Sequence, residues 1–171
     1  MFYVFVYLVA IVAANLSVAY FGPQATIVNA FLFIGLDLST RDKLHELWRN
    51  DRLWPRMFGL ILAGSVITVI LNAGAWQIAL ASTAAFSAAA LVDALTYHGL
   101  YRRHKLVKMN GSNLLSAAVD SVLFPAIAFG FPLLWPIMIG QFLAKVVGGA
   151  LWSLVIVHTM KPSENTAVAL D

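Results

Sequence analysis

The sequence predicts an all-α integral membrane fold, a bundle of six transmembrane helices, and three observations carry that prediction. Of 171 residues, 61% are hydrophobic and only 11% are charged, with a mean hydropathy of +0.82. Soluble domains carry about 25% charged residues, so this chain has too little polar surface to coat a globule in water. Six apolar runs of near-spanning length follow one another. Most basic residues gather in two loops between them, as they do beside membrane spans.

The runs are Phe2–Tyr20, Thr26–Leu38, Met57–Leu71, Trp76–Tyr97, Ser112–Phe131 and Leu134–His158. A helix needs ~20 residues to cross the hydrocarbon core. The second and third fall short, so flanking residues or burial inside the bundle must make up the length. The second would then run from Gln24 to Ser39. Phe2–Tyr20 lacks a basic leader and a small-residue cleavage site, and reads as a retained helix. Gly22-Pro23, Asn72-Ala73-Gly74 and Gly130-Phe131-Pro132 carry turn chemistry. These links are short, so the helices they join are antiparallel neighbours. The expected organisation is one transmembrane domain over residues 1–160 and a short polar cytoplasmic tail over 161–171.

Orientation follows from Lys and Arg. Arg41, Lys43, Arg49, Arg52 and Arg56 follow span two; Arg102, Arg103, Lys105 and Lys108 follow span four; Lys161 follows span six. Ten of the eleven basic residues therefore fall on one side. That places both termini and both long loops in the cytoplasm. Trp76 and Trp135 fit an outer aromatic belt, Trp48 and Trp54 an inner one. Leu44, Leu47 and Trp48 share a helical face, so part of Ser39–Arg56 either lies along the membrane surface or acts only as a basic anchor. Span four is rich in Ala and Ser, and Gly148-Gly149 opens the surface of span six. Close packing within the bundle is the first reading of these small residues, and a homodimer contact the second.

Several function classes drop out. The absence of Cys excludes a disulfide framework, a thiolate metal site and a cysteine nucleophile. The pI near 9.4 would suggest nucleic acid in a soluble protein, but here the basic loops set topology, so no nucleic-acid partner is expected. There is no His-x-x-x-His pair, no Gly-x-Ser-x-Gly elbow and no P-loop, so no enzyme, metal or cofactor is expected. His45, His98, His104 and His158 fall in loops or at helix ends, where a solvated imidazole is the plain reading and a proton relay the alternative.

Four formal charges remain at membrane depth: Asp37, Asp93, Asp120 and Lys145. An isolated charge in hydrocarbon is costly, so each must be paired, neutralised or water-facing. Asp120 lies ~12 Å into span five and Lys145 ~16 Å into antiparallel span six, at 1.5 Å per residue. In a core ~30 Å thick these depths nearly coincide, so the two are expected to meet or to flank one polar cavity. A register-fixing ion pair is the bland alternative. Asn113, Ser116 and Asp120 recur on one face of span five; Gln141, Lys145, Gly148 and Trp152 do so on span six; Ser82, Phe86, Asp93 and Tyr97 roughly align on span four. Asn15 adds an amide from span one. Such stripes suit a planar polar ligand better than an ion. Asp37 and Arg41, spaced i, i+4, form either a local pair or an inner gate.

Ordered segments along nearly the whole chain resemble the VUT family of vitamin uptake or queuosine-precursor transporters. They are Ala14-Asn15-Leu16, Leu36-Asp-Leu-Ser-Thr-Arg-Asp42, Leu91-Val-Asp-Ala-Leu-Thr-Tyr97, Ser112-Asn113, Val119-Asp-Ser-Val-Leu-Phe124, Ala126-Ile-Ala-Phe-Gly130 and Gly140-Gln-Phe-Leu-Ala-Lys145. The resemblance implies a six-helix fold similar to the substrate-binding subunits of energy-coupling-factor transporters, and import of 7-cyano- or 7-aminomethyl-7-deazaguanine. It implies substrate-binding roles for Asn15, Asp93, Asn113, Asp120, Gln141 and Lys145, and gating or coupling by Asp37 and Arg41. One departure is visible: Ala89 and Ala90 stand where many relatives carry a Ser-Glu pair. The alternative function is a binding subunit for another vitamin-like molecule, served by a separate ATPase module.

Overall fold

The computed structural model describes residues 2–33, 44, 48, 52–99 and 105–159; within these ranges the side chains at 94, 97, 98, 105–110, 112, 149, 150 and 152–159 are not described. The described residues are helical and contain no strand. Helix α1 is Phe2–Phe21, α2 is described over residues 25–33, α3 is Leu53–Leu71, α4 is Trp76–Gly99, α5 is Lys105–Phe129 and α6 is Trp135–Thr159. Six helices match the six apolar runs. Asp37, Arg41, His45, Leu47, His104 and the tail from Lys161 lie outside the described residues, and the side chains of Tyr97, His98, Trp152 and His158 outside the described ones.

Two boundaries differ from the hydropathy reading. Helix α3 starts at Leu53 and not at Met57, taking in Trp54, Pro55 and Arg56. Proline is tolerated there because the first-turn N–H groups have no partner inside a helix. The extension gives α3 19 residues and the reach its short apolar run lacked. Helix α5 begins at Lys105, ahead of its apolar stretch Asn113–Phe129, so polar residues form its first turns. Helix α1, α3 and the stretch Ala73–Asp93 are each long and apolar enough to cross a membrane.

The three predicted turns end helices by identifiable means. Gly22 (φ 77°) donates its N–H to the Val18 carbonyl at 2.9 Å, and Gly130 (φ 70°) donates to Ala126 at 3.0 Å. Both are left-handed caps, a conformation that costs glycine nothing. After α3, the Asn72 side-chain oxygen accepts from the Gly74 N–H at 3.0 Å, and a single 3-10 turn, Ala73–Ala75, leads into α4. These turns mark one end of the bundle, the turn end. The loops after α2 and α4 mark the other, the loop end.

Polarity is inverted relative to a soluble protein. Large apolar side chains such as Phe5, Ile70, Leu95 and Leu143 are exposed, while Asn15, Ser65, Thr68, Ser82, Ser121 and Gln141 are buried. That distribution fits lipid outside and polar contacts inside. Ala75, Ala81 and Ala85 are fully buried, and α4 packs most extensively against α5. Small side chains allow that approach.

Contacts link the helices in a ring, α1–α3–α4–α5–α6–α2 and back to α1. The α1–α3, α3–α4, α4–α5 and α5–α6 pairs pack directly. Gly140 of α6 sits against Ile27 of α2, and the Asn29 amide of α2 donates to the Ala14 carbonyl (3.1 Å) and the Ser17 hydroxyl (2.7 Å) of α1. At the loop end, Tyr7, Ile11, Leu44 and Met57 form an apolar cluster flanked by Trp48. Leu44 is 1% exposed, and the Arg56 guanidinium stands 5.6 Å from the Trp48 ring centroid. Leu44, with Trp48 beside it, thus packs on the apolar ends of α1 and α3.

Candidate functional site

The charged centre lies between α5 and α6. Lys145 Nζ donates to Asp120 Oδ2 and, at 3.2 Å, to Ser121 Oγ. The side chains are nearly buried, at 12% exposure for Asp120 and 15% for Lys145. This is the meeting that the equal depths in two antiparallel helices predicted. Pairing offsets the desolvation each charge would suffer alone.

Ser121 is absent from the residues singled out in the sequence, and Pro125 follows it one turn along α5. Proline has no N–H, so the Ser121 carbonyl, four residues earlier, lacks its helical partner. Pro125 is itself fully buried, so this break in the ladder lies inside the bundle. The signal was present in Asp120-Ser121 followed by Pro125. Interrupted helices at mid-depth recur in transporter binding sites.

Helical register sorts the remaining candidates by level. Gln141 is one turn from Lys145, ~6 Å toward the turn end. It is 2% exposed, and its Nε2 has no hydrogen-bond partner among the described residues. The Gly140–Ile27 contact brings Gln141 to about the level of Asn29, and the Asn29 bonds bring that level to Asn15. Asn15 is buried and donates to Thr68 Oγ1 at 3.3 Å, which in turn donates to the Gly64 carbonyl at 2.8 Å. Asn15 therefore ties α1 to α3, and Asn29, not anticipated from sequence, ties α2 to α1.

Asp93 and Asn113 do not join the pair. Gln77 Nε2 donates to the Ile127 carbonyl at 3.1 Å, and this register along antiparallel α4 and α5 sets Asp93 opposite about residue 111. Asp93 is then ~13 Å from the Asp120 level, at 1.5 Å per residue. One of its buried carboxylate oxygens, Oδ1, has no partner among the described residues; neither has the Ser87 hydroxyl. Asn113 is exposed, and Ser116 donates to its backbone carbonyl at 3.1 Å. The helical stripe of span five is thus split: Asp120 faces inward, Ser116 is half-buried, Asn113 faces out.

No group of three or more His, Asp or Glu able to hold a metal ion occurs among the described residues. An apolar helical ring around a buried ion pair and, among the described residues, one unpaired amide nitrogen on Gln141 describes a multi-pass membrane protein. The chain belongs to the family described as "Putative vitamin uptake transporter", whose model matches residues 2–159. Comparison with curated proteins and with solved structures returned no match.

Proposed function

We propose that this chain imports a queuosine precursor, 7-cyano- or 7-aminomethyl-7-deazaguanine, across the bacterial inner membrane, with both termini in the cytoplasm. A fold like that of the energy-coupling-factor binding subunits belongs to the same reading. The observation that carries it is the Asp120–Lys145 pair one turn from the unpartnered Gln141 amide. A guanine-like edge offers adjacent N–H donors and a carbonyl acceptor. Asp120 is the acceptor for the donors, and Lys145 and Gln141 meet the carbonyl. Ligand and lysine then compete for one carboxylate, which couples binding to release of the ion pair. Asn15 supports this layer from α1. Asp93 belongs to the loop-end level and would meet the solute later, and Asp37 with Arg41 would gate that end.

Thermal unfolding of the purified protein with guanine, adenine, both deazaguanines and riboflavin tests the assignment. The deazaguanines should raise the midpoint and adenine should not, because adenine leaves the site's polar groups unpaired; such mismatches discriminate by up to ~10⁴–10⁵. Stabilisation by riboflavin alone, or equal response to adenine, rejects the substrate while leaving the family intact.

A further inference from the structure

A second polar site lies at the turn end, away from the ion pair. A cleft of about 420 Å³ opens there, lined among others by Gly22, Asn72, Gly74, Gln77 and Phe129. Pockets for small molecules begin at ~300 Å³, so its size is sufficient. Its walls come from the α1–α2 turn, the α3–α4 turn and the end of α5. None of the ten residues lining it carries a formal charge.

The two amides in the wall are half occupied. Asn72 Oδ1 accepts from Gly74, and Gln77 Nε2 donates to Ile127. The Asn72 NH₂ and the Gln77 carbonyl oxygen remain, with no further bond among the described residues. One donor and one acceptor match a lactam edge, a ring N–H next to a ring C=O. Beneath the cleft, Val18 and Ile78 line it and also pack with Ala81 and Ala128 in a buried apolar cluster. Buried Ser82 lies one turn, ~6 Å, further along α4 than Ile78 and so deeper from the turn end.

We infer that the cleft is a vestibule that receives an uncharged heterocyclic lactam on Asn72 and Gln77, above a gate formed by Val18, Ile78 and Ala128. The inference rests on the proposed import of a deazaguanine and takes the neutral one of the two, 7-cyano-7-deazaguanine, which carries such an edge. It adds a first binding station distinct from Asp120. The vestibule selects neutral planar polar solutes, and the charged pair is reached only when the apolar layer parts.

The chain has no cysteine, so single introduced thiols report one place each. In detergent-purified protein, Ala19→Cys at the cleft should react quickly with a polar maleimide, and Ser82→Cys below the gate should react slowly. Adding Ile78→Gly should speed Ser82→Cys and leave Ala19→Cys unchanged. Saturating 7-cyano-7-deazaguanine should slow Ala19→Cys, and Asn72→Ala with Gln77→Leu should weaken that protection about tenfold in concentration, the equivalent of one or two hydrogen bonds. Protection should survive Asp120→Asn combined with Lys145→Met. Protection by uracil but not by the deazaguanine keeps the vestibule and rejects the proposed substrate. Equal reactivity at Ala19→Cys and Ser82→Cys, protection by benzoate, or protection by no lactam overturns the vestibule.

Discussion

Asp120, Lys145 and Ser121 form a unit in which each member constrains the others. Lys145 holds two acceptors on α5, and the Pro125 break leaves a carbonyl in the same turn without its helical partner. Removing one charge strands the other. Asp120→Asn or Lys145→Met should therefore each cost ~3–5 kcal/mol of stability. Asp120→Asn with Lys145→Met should recover most of the midpoint in a thermal melt yet show no uptake of labelled deazaguanine. Normal uptake in either single variant would leave the pair a register lock with no part in transport. Gln141→Leu separates the roles further. It removes a buried donor that has no partner among the described residues, so stability should hold or rise slightly, while ligand-induced stabilisation should fall.

Helix contacts turn on two glycines that meet isoleucines in different ways. A Cβ on Gly64 would lie 2.7 Å from Ile11 Cγ2 and 3.2 Å from Ile11 Cβ. Those atoms sit on a β-branched side chain with one strongly preferred helical rotamer, so they cannot swing aside. A Cβ on Gly140 would lie 2.6 Å from Ile27 Cδ1, the free end of its side chain. Gly64→Ala should destabilise by ~1–3 kcal/mol through overpacking. Gly140→Ala should be near neutral, since the gain in helix propensity, up to ~1 kcal/mol, offsets the rotamer change. Melting both variants in micelles checks the order; a larger loss at Gly140 would reverse the argument. The loop-end cluster gives a second comparison. Leu44→Ala empties a site that is 1% exposed and should cost ~2–5 kcal/mol, whereas Phe5→Ala, on the lipid-facing side of α1, should change the midpoint little.

Across the whole molecule, the ring arranges polarity in layers. Among the described residues, the apolar cluster around Leu44 lies at the loop end, the ion pair and amides occupy the middle, and the Val18–Ile78–Ala81–Ala128 cluster lies at the turn-end cleft, so an apolar layer stands on each side of a polar one. Orientation is the property to test at this scale. Cysteines introduced at Asn50 and Asn110 should resist membrane-impermeant thiol reagents in intact cells and react after permeabilisation, the outcome expected from the nine basic residues that follow spans two and four. Labelling of both in intact cells would invert the topology.

The sequence by itself determined the membrane class, the six helices, the three tight turns and the approach of Asp120 to Lys145. Each of these depends on local composition or on counting residues along two adjacent antiparallel helices, where 1.5 Å per residue fixes depth. Tertiary structure alone decided how the three helix hairpins pack against one another, and with that the azimuth of every polar side chain. Helical spacing placed Asn113 and Asp120 on one face, but packing against α4 and α6 buried one and exposed the other. The same packing separated Asp93 from the pair, gave Asn15 to Thr68, and folded Leu44 into the bundle. Spacing in one helix sets relative angle and rise; only contact between helices sets what that angle faces.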